Sequence, residues 1–311
     1  MGLDLDAAAS FLATHGRLLD RRRYAALLDP SPSRTDAVLG ALAGYRNDDG
    51  GYGWGLEPDL RAPESQPAAA LHALEAIADV AHPTTPAITR VAVELFDWLD
   101  TVTLGDGGLP FALPISHPAA CAPFWVEADH HTSSLQISAA VAAQAHRAVA
   151  ADAEAAGHPW LARITDYCLA AIANLDEAPS GYVLSFALQF LDAASDRRPE
   201  AAGLLAHLAH SVPGDGAIPV EGGAAGETLH LLDFAAEQGR PVRDLVTADA
   251  VAADLHRLEN GQQPDGGWAV DFTSYSPAAA MEWRGHATVR AVGTVLRHRG
   301  HAGSGLGSPH G

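Results

Sequence analysis

The chain contains 311 residues, of which 48% are apolar and 18% charged, a composition typical of a soluble globular protein with one large domain or two small ones. Thirty-eight acidic residues face 19 basic residues, so the formal net charge is −19, and every basic residue is an arginine. The lack of lysine excludes a Schiff-base amine and a P-loop lysine. The negative charge disfavours nucleic acid and anionic membranes as partners.

Cysteine content and hydropathy exclude further classes. Only Cys121 and Cys168 are present, too few for a disulfide framework or a cysteine-based zinc cluster. No run of about 18 apolar residues occurs, so no membrane span is predicted, and residues 1–6 lack the basic and apolar regions of a signal peptide. We therefore expect a cytoplasmic protein with one domain over residues 1–299 and a disordered Gly/Ser/His-rich tail over residues 300–311.

The apolar pattern predicts helices along the whole chain, beginning with one or two over residues 4–28. Two later segments have one polar face and are expected on the outside: residues 88–99, with Glu94 and Asp97 on that face, and residues 251–259, with Asp254 and Glu259 there. Five segments are rich in Ala, Leu and Val on most faces and are expected to be buried helices: residues 66–81, 132–150, 182–194, 228–238 and 279–297. Almost no sheet is expected.

A glycine-rich turn separates each outer helix from the buried helix that follows it. Copies are predicted at five places, namely residues 48–54, 106–111, 180–182, 214–218 and 262–268. Alternating amphipathic and buried helices predict an all-α barrel, in which parallel inner helices place their N-termini at one mouth. An open helical solenoid is the alternative, although solenoid repeats tend to be shorter and more uniform.

The segment Gln263-Pro264-Asp265-Gly266-Gly267-Trp268 resembles the QW-type repeat of squalene–hopene cyclases, and residues 48–54 resemble a degenerate copy. The same turn recurs in protein prenyltransferase β subunits, and residues 49–66 are similar to single-domain bacterial proteins labelled prenyltransferase-like. The resemblance covers residues 34–298. It implies an (α/α)6 toroid of the terpenoid cyclase and protein prenyltransferase superfamily, in which the glutamine caps a helix and the tryptophan fills the turn. Such a likeness bears on the fold more than on the chemistry.

The motifs that carry chemistry in those families are missing. The sequence contains neither the Asp-x-Asp-Asp acid of squalene–hopene-type cyclases nor the Asp-Asp-x-x-Asp run that ionises a diphosphate. The segment 129–131 has the spacing of the Asp-x-Cys zinc pair of prenyltransferase β subunits but lacks its cysteine. Aromatic residues make up only 6% of the chain, so a long polycyclisation cascade is not expected. Those cyclases also pair two domains, whereas this chain has room for one.

Four polar groups fall at the predicted mouth, within residues 57–66, 124–134, 227–230 and 282–286. Each of them could instead cap a helix or form a structural ion pair. If the groups are functional instead, the candidate catalytic residues are Glu57, Asp59, Asp129, Glu282 and His286. The candidate substrate-binding residues are Arg61, Gln66, Trp125, His131, His230, Trp283 and Arg284.

Carboxylates gathered in a low-dielectric cavity have raised pKa values, which suits a general acid. We therefore predict an enzyme, without a cofactor, that acts on a small apolar, isoprenoid-like molecule by carboxylic-acid proton transfer in the barrel cavity. One alternative is a non-catalytic toroid that binds a ligand or a partner. Another is a saccharide lyase or hydrolase with paired carboxylates. A further alternative places zinc at Asp129, His131 and His286.

Overall fold

The computed structural model describes residues 2–175 and 178–304, the last four as backbone alone. The fold is all-α: 60% of the structure is helical, and strands in the described part are limited to the antiparallel pair β1 (Ile218–Pro219) and β2 (Thr228–Leu229). The α-helices there are α1 (Leu5–His15), α2 (Leu18–Leu28), α3 (Pro32–Leu42), α4 (Pro67–Ala78), α5 (Pro86–Val102), α6 (Pro123–Val126), α7 (Leu135–Ala148), α8 (Ala153–Ala156), α9 (Pro159–Ala173), α10 (Gly181–Ala194), α11 (Glu200–Leu208), α12 (Leu231–Phe234), α13 (Ala248–Asn260) and α14 (Pro277–Ser304).

Local sequence determines where many of these helices begin. Pro32, Pro67, Pro86, Pro159 and Pro277 each start a helix. The proline ring fixes φ at a helical value, and the N–H that proline lacks would have no partner in the first turn. Side chains also accept free N–H groups at the starts of α1, α5 and α13, namely those of Asp4, Thr85 and Thr247.

Three of the predicted turns share one local geometry. In each, an aspartate Oδ1 accepts the N–H two residues later at 2.9–3.1 Å, and the glycine between them has a φ of +92° to +95°. Glycine adopts that conformation without steric cost. These turns are Asp49–Gly51, Asp106–Gly108 and Asp265–Gly267. Their second glycine leaves no room for a Cβ because a ring of the neighbouring helix lies against it, and those rings belong to Trp98, Tyr167 and Phe11.

The other two copies differ from that geometry. The copy at residues 214–218 keeps the hydrogen bond to the aspartate, because the Ala217 N–H donates to Oδ1 of Asp215 at 3.0 Å, and it leads into β1. The turn predicted at residues 180–182 is wrong, because Gly181 is the first residue of α10. A Cβ on Gly181 would lie 2.7 Å from the Pro219 carbonyl oxygen, so its close packing against β1 accounts for the glycine.

The buried helices form the centre of the molecule. α7 packs against α4 on one side and α10 on the other, and every residue from Ile137 to His146 is buried, as its apolar sequence predicts. α5 buries the predicted stripe that includes Ile88, Leu95 and Leu99. Asp254 of α13 was expected on a solvent-facing surface but is buried, because its carboxylate accepts the Leu232 N–H at 2.8 Å.

One predicted buried helix is mostly absent. Residues 228–238 form β2 and the single turn α12, whose start is capped by the Asp233 carboxylate on the His230 N–H at 2.8 Å. The turn already buries Leu231, Leu232 and Phe234. Beyond it Gly239 has a φ of +72° and Pro241 follows, so the helix does not continue.

The C-terminal helix packs against the start of the chain. α14 contacts α1, α2 and α13, and the turn before it is tied to the N-terminus, because the Gln262 side chain exchanges hydrogen bonds of 2.9 and 2.8 Å with the Asp4 backbone. α14 continues to Ser304; residues 305–311 of the predicted tail lie outside the described residues. Over the described part, helices long and apolar enough to cross a membrane are absent.

Candidate functional site

The segment Glu57–Asp59 lies in the loop between the first glycine turn and α4, and both carboxyl side chains are buried, at 5% and 4% exposure. Hydrogen bonds to backbone carbonyls hold the segment and the residue before it on two sides. Arg17 donates to the Leu56 carbonyl at 2.9 Å, and the Ala122 N–H donates to the Asp59 carbonyl at 2.8 Å. The loop therefore presents two carboxylates at fixed positions inside the protein.

Asp59 is bound by the chain just before α14 and by α14 itself. Its Oδ1 accepts the Tyr275 N–H at 2.8 Å, and its Oδ2 accepts Nε1–H of Trp283 at 2.7 Å. Both N–H groups stabilise the ionised carboxylate by charge-assisted hydrogen bonds. The structure thus joins two of the predicted groups that lie more than 200 positions apart in sequence.

A chain of side chains continues from Glu57 into α4. Glu57 Oε2 lies 2.7 Å from Nε2 of His72, and Nδ1 of His72 lies 2.8 Å from Oε2 of Glu75. Burial alone would lower the pKa of His72, but the charges of Glu75 and Glu57 and the hydrogen bonds to them outweigh it and raise that pKa to about 9. His72 is therefore held as an imidazolium between two carboxylates at neutral pH.

His286 of α14 completes this cluster from the other side. Its Nε2 lies 3.8 Å from Oε2 of Glu75, and a guanidinium nitrogen of Arg23 lies 3.4 Å from its Nδ1. Burial, reinforced by the charges of Arg23 and His72, holds the pKa of His286 well below its usual value. Burial would raise the pKa of Glu75, but the charge of His72, its hydrogen bond to Glu75 and the charge of Arg23 hold that pKa well below its usual value.

Aromatic rings cover the cluster and the predicted mouth. Trp283 lies edge-on to both histidine rings, with centroids 5.5 Å from His72 and 5.7 Å from His286. Phe272 meets the other side of Trp283 at 5.1 Å. A second set contains Phe111 stacked on Trp125 at 4.5 Å and Phe124 against Tyr275 at 5.6 Å, and the backbone of Tyr275 connects it to Asp59.

The remaining predicted residues have partners outside this cluster. Arg61 and Glu282 form an ion pair with each other at 2.5 Å. Gln66 is bonded in both directions to the Leu113 backbone, at 2.8 and 3.2 Å. His230 lies 2.9 Å from Asp271. Arg284 donates to Asp265 at 2.7 Å and also lies over the ring of Phe11.

The structure does not bring Asp129 and His131 to the cluster. Both are exposed on the loop before α7, where Asp129 accepts the His131 N–H and the Thr132 hydroxyl at 2.9 and 2.6 Å. These hydrogen bonds lower the pKa of Asp129, so the rise expected for a general acid is wrong at this residue. The predicted zinc trio is likewise not assembled, because His286 is buried with other partners.

Sequence reasoning missed three members of the cluster, His72, Glu75 and Arg23. His72 and Glu75 are three apart on α4, a spacing that places them on one face of a helix, and they are the only ionisable residues of that helix. That was the available signal. Arg23 gave none, because the adjacent Arg21 and Arg22 are arginines too, and only Arg23 is buried, with its guanidinium 2.7 Å from Asp79.

Over the described part, one group of metal-binding side chains stands close enough for a shared ion. It consists of His72, Glu75 and His286, whose ligand atoms lie within 4.8 Å of one another. Two cavities of about 500 and 680 Å³ lie elsewhere, one against Arg243 and Leu255, the other against Asp106 and Tyr167. Neither is lined by a predicted site residue.

No family model and no curated protein sequence matches this chain. Solved structures do match it. A protein from Actinoplanes is 16% identical with a TM-score of 0.51, over 95% of this chain and 98% of that one. A variant of the type II terpene cyclase MstE from Scytonema, in complex with its substrate geranylgeranyl dihydroxybenzoate, is 13% identical with a TM-score of 0.52, over 94% and 97%.

At these identities the likeness establishes a terpene cyclase-like fold and no more.

Proposed function

We propose that this chain is a terpene cyclase-like enzyme that protonates a small apolar, isoprenoid-like molecule, with Asp59 as the acid. In this proposal the helices close into an (α/α)6 toroid. The contacts of α14 with α2 and the approach of His286 to Glu75 on α4 support closure, because they join the two ends of the chain. The fold shared with a type II terpene cyclase supports the class.

The observation that carries the proposal is the setting of Asp59. Its carboxyl group is buried beneath Trp283 and Tyr275 and receives one N–H on each oxygen. Transfer of the proton to an alkene leaves a carboxylate, and the two fixed N–H donors stabilise that anion as it forms. The nearby aromatic rings offer faces that stabilise positive charge.

The reaction balances without another reagent. The Asp59 carboxylic acid gives its proton to one alkene carbon, and the π electrons form the new C–H bond, which leaves a cation on the neighbouring carbon. A second alkene attacks that cation and closes a ring. Loss of a proton to the Asp59 carboxylate forms the final double bond and restores the acid, so the product is an isomer of the substrate.

Asp59→Asn tests the assignment. Because the amide cannot supply the proton, we expect turnover to fall by about 10²-fold or more. The amide NH2 would face one of the two N–H donors, so the melting temperature should fall as well, and circular dichroism shows whether the variant has folded. The assay incubates the purified chain with linear isoprenoid alkenes and alcohols and detects isomers of unchanged mass by gas chromatography and mass spectrometry.

The matched control is Asp129→Asn, which changes an exposed aspartate outside the cluster and should leave turnover intact. Full turnover by Asp59→Asn would overturn the role of Asp59.

A second candidate is a toroid that binds a small apolar ligand without chemistry. The specific observation in its favour is that predicted mouth residues pair with one another, as Arg61 does with Glu282 and Asp59 with Trp283. Saturable binding of an isoprenoid by both wild type and Asp59→Asn, with no product from either, would establish this candidate. A saccharide lyase or hydrolase would need its paired carboxylates in an open groove. Glu57 and Asp59 are buried, which argues against that alternative.

A further inference from the structure

The cluster on α4 and α14 contains a ligand set that the proposed proton transfer does not use. We propose that His72, Glu75 and His286 form a binding site for one divalent transition-metal ion, with zinc the best fit. Two imidazoles and one carboxylate are a ligand set found in zinc enzymes. Their ligand atoms lie within 4.8 Å of one another, and all three come from rigid helices rather than loops.

Glu57 is placed to orient the ring of His72, because its Oε2 lies 2.7 Å from Nε2 of that histidine. Ligating histidines usually donate their other N–H to a carboxylate, which fixes the tautomer and the ring orientation. His72 is arranged in that way, because Nδ1 faces Glu75 at 2.8 Å while Nε2 faces Glu57 at 2.7 Å. A metal at Nδ1 would leave Nε2–H on Glu57.

Charge accounting supports a divalent ion. Arg23 pairs with Asp79 at 2.7 Å and its charge also acts on Glu75, while the buried carboxylates of Glu57 and Glu75 both contact one imidazole, that of His72. Buried charges without opposite charges are costly. An ion of charge +2 balances both carboxylates. The guanidinium groups of Arg147 and Arg290 also act on Glu75 and His286 and oppose a cation.

Arg23 is the main obstacle to metal binding, and its substitution provides the sharpest test of the proposed site. It donates to Nδ1 of His286 at 3.4 Å, which places the ring proton of neutral His286 on Nε2, the atom that would bind the metal. Metal binding needs the other tautomer of His286, in which the proton is on Nδ1 and no N–H donor faces that atom. Arg23→Gln removes the positive charge and offers an amide oxygen to Nδ1–H.

The experiment titrates the full chain, after dialysis against a chelator, with Zn²⁺ by calorimetry and with Co²⁺ by visible absorption. We expect one ion per chain, with a tetrahedral Co²⁺ spectrum. His286→Ala and Glu75→Gln should abolish that binding, and Arg23→Gln should tighten it by about tenfold or more. The control His230→Ala removes a histidine that pairs with Asp271 elsewhere and should bind as wild type does.

Equal binding by wild type and His286→Ala would assign the ion to other histidines and overturn the site. Absence of stoichiometric binding in both wild type and Arg23→Gln would also overturn it and leave an ion-pair network. Circular dichroism of each variant shows whether it has folded. A gain in metal affinity in Arg23→Gln cannot result from misfolding. The result is independent of turnover, since Asp59→Asn leaves all three ligands in place.

Discussion

The pKa values of two buried histidines differ widely because their surroundings differ. Two carboxylates raise the pKa of His72 to about 9 despite burial. His146 is equally enclosed, between α7 and α9, but its partner is the neutral hydroxyl of Thr165, 2.9 Å from its Nε2. Burial and the charges of Arg197 and Arg198 lower the pKa of His146 to about 4. Protonation is therefore a property of each location.

The low pKa of His146 predicts a loss of stability in acid. Between about pH 6.5 and 4 the unfolded chain binds a proton at this histidine and the folded chain does not, so unfolding becomes more favourable as pH falls. The contribution reaches at most about 3 kcal/mol, from 1.36 kcal/mol per pKa unit. Urea unfolding of wild type and His146→Gln at several pH values measures it.

The difference between the two proteins isolates this residue, because the carboxylates titrate in both. Wild type should lose stability relative to His146→Gln as pH falls through that window. Parallel stability curves for the two proteins would show that His146 titrates in the folded state as it does in the unfolded chain.

The elements of this fold depend on the repeated Asp–Gly turns. The turn at residues 265–267 shows why the sequence is restrictive, since a Cβ on Gly266 would lie 2.1 Å from the Ala7 carbonyl oxygen of α1 and its φ is +92°. Neither the clash with the Ala7 backbone nor the positive φ can be relieved by rotating a side chain. The turn thus docks α1 on the chain that leads to α14.

We expect Gly266→Ala to lower the free energy of unfolding by about 2 kcal/mol or more, through backbone strain and the clash with α1. The control is Gly40→Ala, on α3, where no atom lies near the added Cβ. It should raise stability by up to about 1 kcal/mol, because alanine favours a helix over glycine. Thermal and chemical denaturation measure both, and equal effects of the two substitutions would contradict the close packing of this turn.

At the scale of the whole molecule, stability should be greatest at α7. This helix is covered by α4 and α10, with α9 also against it, and buries nearly its whole surface, whereas α3 buries only Val38 and Leu42. Exchange of α7 amides needs the packed helices to open, while α3 opens at lower cost.

Hydrogen exchange followed by mass spectrometry tests this order. Peptides from residues 137–148 should exchange more slowly than peptides from residues 32–42 by at least about tenfold, since one such factor corresponds to about 1.4 kcal/mol of opening free energy. Equal or faster exchange in α7 would contradict its central position.

The sequence by itself determined the helical class, the amphipathic helix α5, the buried α7 and three of the glycine turns. Those features depend on local periodicity and on conformations that only nearby residues control. It missed the end of α12, although Gly239 and Pro241 follow it in the sequence, and it missed the burial of Asp254, which depends on a contact with Leu232 of α12. It placed Asp59 and Trp283 among the candidates but could not show that they touch.

Only the tertiary structure decided which polar residues share a site. It joined Asp59 to α14 and Glu57 to α4, added His72, Glu75 and Arg23, and left Asp129 and His131 on an exposed loop. The physical reason is that a helical pattern identifies which face is buried but not which other helix meets that face. The −19 charge likewise says little of the site, since the cluster is defined by a few buried carboxylates and the cations packed against them.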